Sequence, residues 1–245
     1  DLEDERVKVY CQPVLNTRTN RFASAEALMR LELPETGMVY PDQFIPMAER
    51  HDYIHTLSKI ILNKTCRQIK RLEQEGYQID RVSVNFSILE FRRKEFCKDV
   101  MDIIRQNEIP YEKVAIELTE SWNETEFDNI KNTITSLQKL GIKFYLDDFG
   151  TGYSNFERII GLPIDVIKFD RSLTILAGKN AESRYMVGSF SDIFKNSHYE
   201  ILFEGVENEK DEDQCKQMNA LYLQGYKYPK PIPIEELTRF LGRAV

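Results

Sequence analysis

Histidine is scarce in this chain, with three in 245 residues. His51 and His55 stand at the i, i+4 spacing that two zinc ligands could use, but no H-E-x-x-H pattern surrounds them. They read as solvated or half-buried helix residues. Cysteine is nearly as rare. Cys11, Cys66, Cys97 and Cys215 are scattered and have no C-x-x-C spacing, which argues against thiolate metal sites and dithiol redox motifs. They read as reduced thiols in or near the core. No apolar run reaches the roughly 20 residues of a membrane span, and no signal peptide is visible. Positive charge is not in excess. The net charge is −7, so a sequence-independent grip on a DNA or RNA duplex is not expected. A phosphate ligand can still be held where bound cations reverse the local sign. Low-complexity tracts and Pro/Gly/Ser linkers are missing too, so residues 1–245 read as one domain. The acidic opening, residues 1–6, is expected to be the end of a connector from a longer protein.

What the sequence has is alternation of short apolar strands with amphipathic helices. Residues 7–13 and 21–30 read as two strands around a polar turn at 16–20, followed by a short helix at 41–50. Helical spacing of Leu57, Ile60, Ile61, Ile69 and Leu72 comes next. Strands are then predicted at 81–86, 114–118, 143–147, 166–169, 200–203 and 221–223. Helices are predicted at 95–106, 125–140, 155–160, 182–195, 210–218 and, closing the chain, 234–241. Strand then helix, repeated, points to an α/β protein with a parallel sheet. Six such units after an opening strand pair fit a TIM-like (β/α)8 barrel better than the alternative, a doubly wound open sheet.

Polar residues fall at the strand ends, where a barrel carries its active site. Strand alternation sorts them by face. Val82, Val84 and Phe86 take one face of their strand, leaving Ser83 and Asn85 on the other. Val114, Ile116 and Leu118 leave Glu117. Phe144 and Leu146 leave Asp147, and Ile167 and Phe169 leave Lys168. Glu26, Arg30, Glu120, Asp148, Glu204, Glu207 and Gln224 also lie near strand ends. A lone Glu in such a place is usually a cap or a solvated charge. Several carboxylates in one lumen repel one another unless cations neutralise them. Arg30 and Lys168 are the main side-chain cations on offer. Oxygen-only donors suit Mg²⁺ or Mn²⁺ rather than Zn²⁺, and the count suggests two ions, as in two-metal phosphoester hydrolysis. The loop 148–154, with two glycines and Thr, Tyr and Ser, can close on a ligand or link two subunits.

Taken in order, these motifs resemble the EAL domain family along nearly the whole chain. They are Gln12-Pro13, Glu26-Ala27-Leu28 continuing to Arg30, Phe44-Ile45-Pro46, Ser83-Val84-Asn85-Phe86-Ser87 and Glu117-Leu118-Thr119-Glu120-Ser121. The series continues with residues 147–154, Lys168-Phe169-Asp170-Arg171-Ser172, Glu204-Gly205-Val206-Glu207 and Gln224-Gly225-Tyr226. The resemblance implies a barrel whose first strand runs antiparallel to the rest. It also implies hydrolysis of cyclic di-GMP to linear 5′-pGpG. By similarity, Glu26, Asn85, Glu117 and Asp147 would hold one cation, and Asp147, Asp148 and Glu204 a second. Glu26, Lys168 and Gln224 would be catalytic, with Lys168 orienting or deprotonating the attacking water. Gln12, Leu28, Arg30, Asp148 and Gly225 would contact substrate, and Glu120 and Glu207 would anchor the 148–154 loop. A homodimer through that loop, an upstream sensory or GGDEF domain and a cytoplasmic setting are the implied context. Leu31, Phe203, Asn219 and Leu221 depart from residues common in the family; Phe203 is expected to point outward, and Asn219 to tolerate left-handed backbone. Two other classes compete: a non-catalytic cyclic di-GMP receptor or interaction domain, and a barrel lyase of the enolase type.

Overall fold

The structure, a computed structural model, describes residues 4–119, 127–151 and 156–242. The chain opens with a hairpin of β1 (Val7–Asn16) and β2 (Arg21–Leu33). Asn16 makes its turn: the side-chain oxygen accepts the N–H groups of Arg18 and Thr19 at 2.9 and 3.3 Å. Asn20 sits at φ +52°, in the left-handed region that Asn tolerates. A short β3 (Gly37–Val39) folds back on the far end of β2, with Leu31 opposite Val39. Helices α1 (Pro41–Arg50) and α2 (Ile54–Gln74) follow.

The rest of the chain is β4 (Arg81–Asn85), α3 (Phe96–Gln106), β5 (Val114–Thr119), α4 (Phe127–Gln138), β6 (Lys143–Phe149), α5 (Phe156–Gly161) and β7 (Val166–Phe169). Two consecutive helices, α6 (Arg171–Lys179) and α7 (Ala181–Asn196), precede β8 (Glu200–Phe203). Then come α8 (Glu209–Gln217), β9 (Tyr222–Leu223) and β10 (Ile232–Pro233). Strands β2 and β4 to β9 pair parallel in sequence order, and β1 pairs antiparallel with both β2 and β9. The result is a closed eight-stranded barrel whose first strand runs against the others, as expected; β3 and β10 are appended outside it.

Outward residues of each strand meet the helices and form the main core, including Val82, Val84, Ile116, Leu118, Phe144, Leu146, Ile167 and Ile201. Phe203 also points outward, as expected. Its ring lies 4.7 Å from Phe169, which lies 5.0 Å from Phe149, which in turn lies 5.0 Å from Phe194 of α7. The lumen has its own small cluster of Val14, Ala115, Tyr145, Val166 and Leu202.

Four features differ from the sequence reading. The first two strands are longer than 7–13 and 21–30, so Glu26 lies within β2 rather than at its end. Strands β3 and β10 were not expected. Helix α6 was also missed: Asp170 caps it by accepting the Ser172 N–H at 2.8 Å. The closing helix at 234–241 is a 3-10 turn over Ile234–Arg239, and Leu241 then bridges to Phe22. Strand β10 just before it and that bridge just after pin both ends of the segment, which closes with i to i+3 hydrogen bonds. Residues 125 and 126 of the predicted 125–140 helix, and Asn155 of the predicted 155–160 helix, lie outside the described residues.

Candidate active site

Two residues along each strand from the lumen's lower layer stands a polar side chain. Ala115 leads to Glu117, Tyr145 to Asp147, Val166 to Lys168, Leu202 to Glu204 and Tyr222 to Gln224. Ser24 leads to Glu26 and Ser83 to Asn85; on antiparallel β1, Val14 leads back to Gln12. The period of two in a strand therefore puts one polar residue per strand at the same end of the lumen.

Lys168 is the hub. It is 1% exposed, and its Nζ lies 2.6 Å from Glu117 Oε2, 2.9 Å from Asp147 Oδ1, 3.1 Å from Glu204 Oε1 and 3.3 Å from Glu26 Oε2. Burial disfavours its charge, but Asp147, Glu117, Glu204 and Glu26 together hold the ammonium well above the ordinary lysine range. Burial, reinforced by the Glu26 charge, holds Glu117 well above the usual carboxylate range. Burial also pushes Glu204 up to about 8, against the pull of Lys168. Glu26 goes the other way. Burial would raise it, but Lys168 and hydrogen bonds from Gln224 and Asn85 outweigh that and hold it low. Asn85 Nδ2 donates to Glu26 Oε1 at 2.8 Å, and Gln224 Nε2 donates to Glu26 Oε2 at 2.8 Å and to Gln12 Oε1 at 3.1 Å. Glu26 is thus fixed as an anion.

Asp147 and Asp148 are neighbours, so plain alternation would place only one of them in the lumen. Pairing of β6 with β7 runs Leu146 to Ile167 and then Phe149 to Phe169, which leaves one extra residue in β6. The irregularity is a bulge, with Asp148 at φ +59°, a conformation that costs a non-glycine residue free energy and clusters at functional sites. It turns both carboxylates to the site. Carboxylate oxygens of Glu26, Glu117 and Asp147 lie within 4.8 Å of one another, as do those of Asp147, Asp148 and Glu204.

These donors suit hard divalent cations. The two trios share Asp147, the donors are oxygens, and neither His nor Cys joins either trio. With all five carboxylates of the two trios ionised, Lys168 would leave four negative charges, which two divalent cations would balance; without ions, Glu117 and Glu204 instead hold on to their protons. Gln224 Oε1 is buried with no hydrogen-bond partner, so the site also holds an acceptor waiting for a donor.

Two recesses open from the ring. One of about 710 Å³ is lined by Glu26, Leu28, Asn85, Asp147 and Asp148 together with α1 and α2 side chains. The other, about 260 Å³, is lined by Gln12, Leu28, Glu204, Gln224, Gly225 and Tyr226. Gly225 has φ +157°, and an added Cβ would lie 2.2 Å from the Val206 carbonyl oxygen, so backbone alone can form that floor. The structure thus gathers Gln12, Glu26, Leu28, Asn85, Glu117, Asp147, Asp148, Lys168, Glu204, Gln224 and Gly225. Arg30 is not the partner of the lumen carboxylates that the sequence reading offered: among the described residues it forms no ion pair with a carboxylate. Glu207 is not one of the carboxylates around Lys168; it lines the smaller recess with Arg171, to which it is paired at 2.5 Å. Glu120 and residues 152–154 of the 148–154 loop lie outside the described residues. Thr119, opposite Asp147 in the β5–β6 register and lining the larger recess, was missed; its place two residues past Glu117 was the available signal. His51 ends α1, and half-buried His55 lies 3.7 Å from Asp52; neither is part of a metal cluster among the described residues.

The EAL domain family model matches residues 1–231. The chain is 28% identical over 240 residues to the signaling protein YkoW of Bacillus subtilis, covering 98% of this chain and 30% of that protein. It is 30% identical over 235 residues to the cyclic di-GMP phosphodiesterase PdeL of Escherichia coli, covering 95% of this chain and 64% of that one. The chain therefore spans about a third to two thirds of the length of these relatives. Among solved structures, the PaMucR phosphodiesterase in its c-di-GMP complex superposes with a TM-score of 0.88 at 26% identity, covering 95% of this chain and 94% of that one.

Proposed function

From the premise that this chain belongs to the EAL domain family, we propose that it hydrolyses one phosphodiester bond of cyclic di-GMP to give linear 5′-pGpG, using two divalent cations, Mg²⁺ or Mn²⁺. The observation that carries this reading is the pair of carboxylate trios sharing Asp147 around one buried lysine. Glu26, Asn85, Glu117 and Asp147 would hold one cation and Asp147, Asp148 and Glu204 the other. When bound, the cations lower the pKa of water and offset charge on the phosphoryl group.

The chain's own residues do the rest. Glu26 keeps its charge because the Lys168 ammonium faces it and Gln224 and Asn85 donate to it. Gln224, with its amide nitrogen committed to Glu26 and Gln12, keeps an oxygen to accept a hydrogen bond from water or substrate. Lys168 orients the attacking water; a proton-accepting role for it is open only when cations compensate the four carboxylates around it. Gln12, Leu28 and Gly225 shape the floor, and Arg30 offers a cation to phosphate. The same reading has the domain acting within a longer cytoplasmic protein, with sensory or cyclase partners upstream. It also has two copies pairing near the 148–154 loop. No helix among the described residues is long and apolar enough to cross a membrane.

The deciding experiment is chromatographic assay of cyclic di-GMP turnover with Mg²⁺ or Mn²⁺, for the parent and Glu26→Ala. Conversion to pGpG by the parent, reduced about 100-fold or more in the variant, is expected, since even outer-shell partners of a metal cost 10- to 100-fold. Tight binding without turnover would instead make the chain a receptor.

A further inference from the structure

Arg30 is a buried cation in an unusual setting. It is 8% exposed, its Nη1 donates to the adjacent Met29 carbonyl at 2.8 Å, and among the described residues it forms no ion pair with a carboxylate. Two aromatic rings take that place. The guanidinium carbon lies 5.0 Å from the Tyr40 ring centroid and 5.7 Å from that of Tyr10.

The backbone explains how the rings arrive there. Strand β3 pairs Leu31 with Val39, so the next antiparallel step sets Tyr40 across from Arg30. Pro41 then opens α1, and the Gln43 side chain accepts the Tyr40 N–H at 3.4 Å, fixing Tyr40 on both sides. Tyr10 comes from β1, diagonally opposite Arg30, because Tyr10 pairs with Leu28 and Lys8 with Arg30. Arg30 shares the strand face of Glu26 and Leu28, roughly 13 Å beyond Glu26 at about 3.3 Å per residue. It therefore lies beyond the carboxylate ring, beside the larger recess, which its neighbours Leu28 and Met29 line together with Pro41, the residue after Tyr40.

We propose that Tyr40 and Tyr10 are positioning residues that clamp the Arg30 guanidinium beside the larger recess, without a directly paired carboxylate among the described residues, for an anionic phosphate oxygen of the substrate. This rests on the phosphodiesterase reading above. A carboxylate in the place of the rings would hold the arginine equally well but would neutralise it and compete with phosphate. A ring face holds the cation through its quadrupole and leaves the N–H edge of the plane for bidentate contact.

The test combines a ligand-independent readout with a thermodynamic cycle. The first is the ¹⁵N-¹H correlation signal of the Arg30 side chain in the parent, Tyr40→Phe and Tyr40→Ala. A ring-shifted signal kept in Tyr40→Phe and moved in Tyr40→Ala supports the clamp; an identical signal in all three overturns it, whatever the enzyme does. The second is the Kd for cyclic di-GMP in EDTA and the KM and kcat with Mn²⁺, for Tyr40→Ala, Arg30→Ala and the double variant. Tyr40 is 52% exposed, so Tyr40→Ala should raise Kd and KM about 2- to 5-fold, the range of an exposed cation–π contact of about 0.5 to 1 kcal/mol, with kcat little changed. Tyr40→Phe should behave as the parent, and Tyr40→Ala should cost nothing further once Arg30 is absent. Additive effects would overturn the proposal while leaving the phosphodiesterase reading intact. A parent that neither binds nor hydrolyses cyclic di-GMP would overturn that reading, and the substrate role of the clamp with it.

Discussion

At the scale of single residues, Lys168 carries the heaviest electrostatic load among the described residues. Its ammonium is, among them, the one side-chain cation within 3.3 Å of Glu26, Glu117, Asp147 and Glu204. Removing one partner of a buried ion pair typically costs about 3–5 kcal/mol, because the other charge is left uncompensated. Lys168→Met should therefore be destabilised by about that amount in EDTA near pH 8. The loss should shrink near pH 5, where the upward-shifted Glu117 and Glu204 carboxyls take up protons. Saturating Mn²⁺ should recover more stability in the variant than it adds to the parent, because cations then neutralise what the lysine did. Denaturant unfolding under the three conditions measures this; a variant as stable as the parent in EDTA at pH 8 would contradict the hub role. The lumen-facing acids were legible from the sequence because strand alternation is strict. Asp148 was not legible in that way, since its inward turn depends on a one-residue bulge and on φ +59°, which leave no periodic trace. Asn219 was legible for the opposite reason: it sits at φ +64°, where its side-chain chemistry alone makes it acceptable.

At the scale of elements, Glu90 ties three pieces together. It lies in the 3-10 turn Ile88–Arg92 after β4, is 3% exposed, and accepts from Ser58 Oγ of α2 at 2.8 Å and from the Ser87 N–H at 3.1 Å. Ser87 in turn donates to Glu49 of α1 at 2.6 Å. Burial pushes the Glu90 carboxyl up to about 8. In the unfolded chain it titrates near the ordinary value of about 4.3. Between those two values the folded state binds more protons, so stability falls as pH rises through that window and levels off above it. The drop should be a few kcal/mol at most, at about 1.4 kcal/mol per pH unit. Glu90→Gln keeps an acceptor for Ser58 and Ser87 but cannot ionise. Urea unfolding from pH 5 to 9 with saturating Mg²⁺, which masks the lumen acids, should show the parent losing stability relative to Glu90→Gln as pH rises. Parallel curves would refute the assignment. The same scale shows where sequence reading ran short. Strand β3 has three residues, too few for a period of two to register, although Gly37 was a usable turn signal. Helix α6 was hidden because its cap, Asp170, and first residues had been absorbed into the Lys168-Phe169-Asp170-Arg171-Ser172 motif.

For the molecule as a whole, the division of labour between the two barrel surfaces decides how metal and fold are coupled. The outer aliphatic and aromatic layer packs without help from the lumen, and the aromatic contacts from Phe203 to Phe194 lie entirely on that side. Strand-helix alternation made this layer legible from the sequence, and with it the barrel. Closure by an antiparallel first strand was implied only by the family resemblance, since alternation carries no information on strand direction. Inside, the carboxylate ring is held in the absence of ions by Lys168 and by the raised proton affinity of Glu117 and Glu204. Metal-free protein should therefore keep its circular dichroism spectrum and still unfold cooperatively, while showing none of the hydrolysis proposed above. Adding Mn²⁺ should raise the unfolding temperature in a concentration-dependent way, as a ligand that binds only the folded state must. Calorimetric titration should count two ions per chain in the parent. Glu117→Gln and Asp148→Asn each touch one of the two trios and should each leave one ion. Asp147→Asn touches both and should weaken both. If Glu117→Gln and Asp148→Asn instead lost both ions together, the two trios would form one cooperative site, and the shared-ligand geometry around Asp147 would have to be abandoned.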